Sequence, residues 1–135
     1  MKHIIALAAL GLAAGCAAST DDRAELRADT DVRLAAELSN YRQSGNTRSC
    51  VPLRNLGGNR SVGEGAVVFG SGSRIWVNRP RDGCPLLRDD RTLILRTTSS
   101  QICSGDIVSV VDAQSGIHYG SCALGDFTPL ERRRS

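Results

Sequence analysis

The chain changes its hydrophobic rhythm twice. From Ser49 onward, short apolar runs alternate with Gly, Ser, Asn and Asp, at residues 50–56, 65–69, 75–77, 93–96, 107–111 and 118–124. Short runs rich in Val and Ile and bounded by turn formers predict β-strands. Gly70-Ser71-Gly72-Ser73 predicts a hairpin, and Asp82-Gly83, Asp89-Asp90, Ser104-Gly105 and Ser115-Gly116 predict further turns. Five or six short strands imply an all-β core, either a small barrel-like domain or a two-sheet β domain. Residues 17–47 read differently. Leu34, Leu38 and Tyr41 recur at helical spacing with Val32 and Ala35 nearby, and Asp22 with Glu25 fits a capping box. Thr30, Asp31 and Asn40 interrupt the pattern, so residues 22–41 predict one broken helix or two short ones, closed by the loop chemistry of 44–47. Docking on the β domain and projecting as a stalk are both open to such a thin stripe.

The first residues follow a third pattern. Met1-Lys2-His3 is a basic start, residues 4–14 are apolar apart from Gly11, and small residues follow. This is the arrangement of a secretory signal peptide. The run ends before Ser19, Thr20 and two aspartates, short of the roughly 20 apolar residues a membrane span requires. Leu12-Ala13-Ala14-Gly15-Cys16 resembles the lipobox of bacterial lipoproteins, with Ala13 where Leu is commoner. The resemblance implies a diacylglyceryl thioether on Cys16, cleavage before it, and acylation of the new amino terminus, for example by palmitate. Ala17 in place of Asp implies sorting to the outer membrane. Ordinary cleavage nearby, leaving a soluble periplasmic protein, is the alternative. The expected organisation is a signal peptide at 1–15, a lipidated terminus and helical segment at 16–47, a β domain at 48–131 and a solvated basic tail at 132–135.

Cysteine arithmetic fits this address. Five cysteines are an awkward number for an exported chain, but setting Cys16 aside leaves Cys50, Cys84, Cys103 and Cys122. None forms a Cys-x-x-Cys pair, which argues against zinc and against thiol–disulfide exchange and for two structural disulfides. Three pairings are possible. Cys84–Cys103 with Cys50–Cys122 is the expected one, stapling an internal loop and tying the first strand to the last. A domain with so few aromatic residues needs such staples.

Around these cysteines stand Cys50-Val51-Pro52-Leu53, Ile75 to Pro80, Cys84-Pro85, Gln101 to Asp106 and Gly120 to Phe127. Together they resemble a family of small exported proteobacterial proteins carrying a domain of unknown function. The likeness covers residues 50–130 and implies one disulfide-bearing exported domain, without implying an activity.

Charge narrows the partners. Without the first fifteen residues the chain has sixteen arginines, no lysine and fourteen acids, close to balance. The arginines are interleaved with Asp and Glu, which reads as a solvated surface. Charge and compartment both argue against nucleic acid.

Candidate chemistry is sparse. A hydrolase would need His118 as base, Asp106 or Asp112 to orient it, and a nucleophile such as Ser104, yet no nucleophile elbow is present. No metal site and no cofactor is expected. Arg74-Ile75-Trp76-Val77-Asn78 is the other candidate. If Ile75 and Val77 face inward, Arg74, Trp76 and Asn78 share an outer face suited to a glycan or a protein; otherwise Trp76 belongs to the core. The expectation is a non-catalytic lipoprotein on the periplasmic side of the outer membrane, anchored by lipid, whose β domain binds or supports an envelope protein or polymer. An inhibitor-like module against an envelope-degrading enzyme and a hydrolase using His118 are the alternatives.

Overall fold

The computed structural model describes residues 18–134, so the signal peptide and Cys16 lie outside the described residues. Over the described residues the fold is mostly β, with three small sheets, ten strands, one α-helix and two disulfides. The strands are β1 (Tyr41–Gln43), β2 (Cys50–Pro52), β3 (Asn59–Val62), β4 (Ala66–Phe69), β5 (Arg74–Asn78), β6 (Arg91–Ile94), β7 (Gln101–Cys103), β8 (Ile107–Asp112), β9 (His118–Ala123) and β10 (Phe127–Arg132). Each of the six apolar runs overlaps a strand. The four additional ones, β1, β3, β7 and β10, are short or polar, and their partners rather than their own pattern hold them extended.

All ladders are antiparallel. One sheet has the order β1-β10-β5-β4-β3, another β6-β8-β9, and β2 pairs only with β7. β3 and β6 meet through side chains. Asn59 Nδ2 donates to the Leu93 carbonyl at 2.9 Å while its Oδ1 accepts from the Leu93 amide at 2.8 Å. Ser61 Oγ donates to the Arg91 carbonyl at 3.0 Å. Asn59 and Ser61 thereby mimic the missing ladder and join two sheets into one body.

The five-stranded sheet is covered on both faces. Val67, Phe69, Leu87, Val108, Val110, Leu124 and Phe127 fill the main core between the sheets. Ala66, Val68, Ile75 and Val77 face the opposite way, toward the helix α1 (Ala18–Glu37). Both faces of β4 are thus buried, which explains why it reads as an unbroken apolar run instead of an alternation.

The helix docks. Leu34 is buried in one cluster with Val62 and Val68, with Leu38 and Tyr41 packed against it, which decides between the docked and the stalk arrangements. Thr30 is fully buried, and a Cβ on Gly65 would lie 2.9 Å from its Oγ1, so glycine there sets the close approach of helix to sheet. Arg33 pairs with Asp89, Glu37 with Arg60, and Asp31 with Arg79. The boundaries differ from the expected 22–41. The helix begins at Ala18, placing Asp22 inside it rather than at its cap, and it ends at Glu37 because Tyr41 is drawn into pairing with Arg132. From Thr20 to Asp29 every residue is exposed, so the first half projects along the domain without entering its core.

All four cysteines are bridged, but not in the expected pairing. The bridges are Cys50–Cys103 and Cys84–Cys122, interleaved along the chain. The reason is register: Cys50 lies directly opposite Cys103 on the β2–β7 ladder. Residues 101–103 carry no strand pattern of their own, and without β7 the two cysteines have no reason in sequence to meet. Cys84 is buried in the main core with Cys122 packed against it, whereas Cys50 is exposed. Disulfides form and persist in oxidising compartments, and two of them mark an exported chain.

Candidate functional site

The proposed outer face of β5 is divided by the fold. Ile75 and Val77 do point inward, but toward the helix, because the sheet they belong to is an inner layer. The other face of the same strand therefore runs from solvent into the main core. Arg74 is exposed, Trp76 is half-buried against the core, and Asn78 is fully buried. Asn78 is no binding residue. Its Nδ2 donates to the Gly125 carbonyl at 2.7 Å and its Oδ1 accepts from the Gly125 amide at 3.0 Å. A Cβ on Gly125 would fall 1.9 Å from the Arg79 carbonyl, so only glycine lets this loop reach Asn78.

Arg74 and Trp76 remain together at the open end of the sheet. Trp76 lies opposite Pro129, and Arg74 opposite Glu131, which in turn lies opposite Arg42. Two adjacent concavities share Arg74 and Glu131. One, of about 270 Å³, has Trp76, Pro129 and Leu130 as its apolar floor and Arg48 on its rim. The other, of about 440 Å³, is walled by Arg42, Arg74 and Arg132 to Arg134. The last arginines are not a free tail: Arg132 closes β10, and the Arg133 amide donates to the Asn40 carbonyl at 2.7 Å. Arg42 pairs with Glu131 at 2.6 Å, and Arg132 sits over the Tyr41 ring, 5.6 Å from its centroid.

The hydrolytic candidates do not assemble: Asp112 lies beside His118 at one end of the β8–β9 ladder, but its carboxylate is taken up by its own turn, and Asp106 and Ser104 lie at the other end. Val111 pairs with His118 at one end of the β8–β9 ladder, while Asp106 precedes the rung Ile107–Ala123 at the other. Five residues at about 3.3 Å each put Asp106 roughly 17 Å away. Its carboxylate accepts from the Cys103 amide at 2.7 Å, closing the β7–β8 turn. Asp112 accepts from the Gln114 and Ser115 amides at 2.9 and 2.7 Å, and the Ser115 amide chiefly holds its carboxyl below the usual carboxylate range. Ser104 Oγ accepts from Arg81 at 3.0 Å. His118 is exposed and makes no side-chain hydrogen bond among the described residues. Among those residues, no three His, Cys, Asp or Glu side chains gather to hold a metal ion, and no helix is long and apolar enough to cross a membrane.

Fold and site together define a disulfide-bonded, mostly β exported domain with a docked helix and an arginine-walled groove at one end. No family model, curated protein or solved structure matches this chain. The resemblance carried by the cysteine motifs therefore assigns no site residue.

Proposed function

We propose that this chain is a non-catalytic lipoprotein of the bacterial envelope, anchored through Cys16 on the periplasmic side of the outer membrane, whose β domain binds an envelope partner. The observation that carries the reading is the groove at the open end of the sheet, where exposed arginines and a half-buried tryptophan meet without structural duties to absorb them all. Tryptophan and arginine are the residue types that dominate binding energy at interfaces. Asp106, Asp112 and Ser104, by contrast, each serve a turn or a neighbouring side chain. The lipobox-like Leu12 to Cys16 and the oxidised cysteines support the anchor and the compartment.

Two measurements test it. Intact mass of protein extracted from membranes should show a chain beginning at Cys16 with added acyl mass; an unmodified terminus elsewhere removes the anchor. In a strain lacking the protein, His118→Ala should restore the phenotype at matched expression. Loss of function with folding and lipidation preserved overturns the non-catalytic reading.

A further inference from the structure

Folding separates charge that the sequence interleaves. The described residues hold sixteen arginines and fourteen acids. Six of those arginines, at positions 42, 48, 74 and 132–134, line the two joined concavities with a single acid, Glu131, giving the groove a net +5. The ten arginines elsewhere face thirteen acids, so the rest of the surface carries −3. A chain near overall balance thus concentrates its positive field on one end, which steers and holds an anionic partner.

The arginines fall into two groups. Arg42, Arg132 and Arg133 are braced, respectively by Glu131, by the ring and hydroxyl of Tyr41, and by the Tyr41 carbonyl, which accepts from Arg133 Nε at 3.3 Å. Arg48, Arg74 and Arg134 have no ion-pair or hydrogen-bond partner for their guanidinium groups among the described residues. Their forks are available, and a guanidinium matches a carboxylate with two parallel hydrogen bonds. Between Arg48 and Arg74 lies the apolar floor of Trp76, Pro129 and Leu130, which a fully hydrated polyanion would leave unused.

We propose that this groove binds an acidic peptide segment of a protein partner, with Asp or Glu carboxylates on Arg48 and Arg74 and an apolar side chain on Trp76 and Pro129. This rests on the binding-module reading above and supplies the partner's chemistry. Membrane headgroups fit less well. The groove adjoins the C-terminal end of the helix, whose twenty residues span about 30 Å. An anchor just before the helix would hold the groove far from the lipid surface that carries it.

The chain contains a single tryptophan, Trp76, so its emission reports occupancy of the groove directly. The full chain in neutral detergent would be titrated with a short synthetic peptide of alternating Glu and Leu. Its Gln-for-Glu counterpart, heparin, and vesicles containing phosphatidylglycerol serve as comparators. A saturable fluorescence change with the Glu peptide alone, weakened by salt, is expected. Arg48→Glu with Arg74→Glu should lower affinity about tenfold or more. Arg54→Glu with Arg96→Glu, the same charge change on exposed arginines outside the groove, should change it less than twofold. No saturable response to the Glu peptide, an equal loss in both double variants, or a stronger response to heparin or to vesicles would overturn the proposal. Failure of the anchor or of the non-catalytic reading shows instead in the mass and complementation measurements, which do not depend on the groove.

Discussion

Asn78 sits on a candidate binding face yet is fully buried, so its replacement separates a structural role from a binding one. Replacing it with Ala removes the side-chain partners of both the Gly125 amide and the Gly125 carbonyl, which then stand in the core unmet. A buried polar group left unsatisfied costs about 1–3 kcal/mol, so the two together cost about 2–6 kcal/mol, against a total stability of about 5–15 kcal/mol for a domain of this kind. With a urea dependence of about 2 kcal/mol per molar, the unfolding midpoint should fall by roughly 1–3 M. Trp76, two residues away on the same strand, reports the transition by fluorescence. Arg74→Ala, at the solvent end of that face, should stay within about 0.5 kcal/mol of the parent. Asn78→Asp adds a pH signature. The introduced carboxyl, while protonated, can still donate to the Gly125 carbonyl and accept from its amide. Once ionised it would be buried against that carbonyl, which raises its folded pKa above the unfolded one. Stability relative to the parent should therefore be best at low pH and fall as pH rises through that raised value. An Asn78→Ala variant that unfolds in two states within about 0.5 kcal/mol of the parent would refute the reasoning and return Asn78 to the binding face.

Non-reducing peptide mapping should recover Cys50–Cys103 and Cys84–Cys122 and no other link. Separations of 53 and 38 residues imply about 4 kcal/mol from loop entropy for each bridge; replacing Cys84 and Cys122 by serines should cost more than replacing Cys50 and Cys103, because Cys84 is buried in the main core and Cys50 is exposed. Leu34→Ala should cost about 2–4 kcal/mol by emptying the helix–sheet contact, and protease sensitivity within the helix should rise while the β core stays protected. The Asp112 carboxyl, held mainly by the Ser115 amide, should titrate by NMR below the ordinary value of about 3.9. Its folded pKa is depressed, so the stability it contributes is present above about pH 4 and is lost as pH falls further; Asp112→Asn should be less acid-sensitive than the parent in that window.

What was legible in the chain is what depends on neighbours in sequence. The six apolar runs became strands because a run bounded by turn formers can be extended and buried with little help, and the turns at Asp82-Gly83 and Ser115-Gly116 rest on local chemistry. The spacing of Leu34, Leu38 and Tyr41 marked an apolar stripe, but left docking and a stalk both open; the fold decided for docking, with Leu34 on the helix and Leu38 and Tyr41 just beyond its end. Four cysteines in an exported chain announced two bridges, but not their pairing. That required the β2–β7 ladder, whose second strand, Gln101–Cys103, is too short and mixed to declare itself and extends only because β2 lies beside it. The candidate site divided along the same line. Period two correctly put Arg74, Trp76 and Asn78 on one face of β5. Only the stacking of helix, sheet and second sheet decided that this face enters the core at Asn78 and leaves it at Arg74. Nor does any stretch of sequence hold the groove: Arg42, Arg48, Arg74 and Arg132 to Arg134 come from separate segments that antiparallel pairing brings to one end, and an electrostatic field depends on distances in space, not on order along the chain.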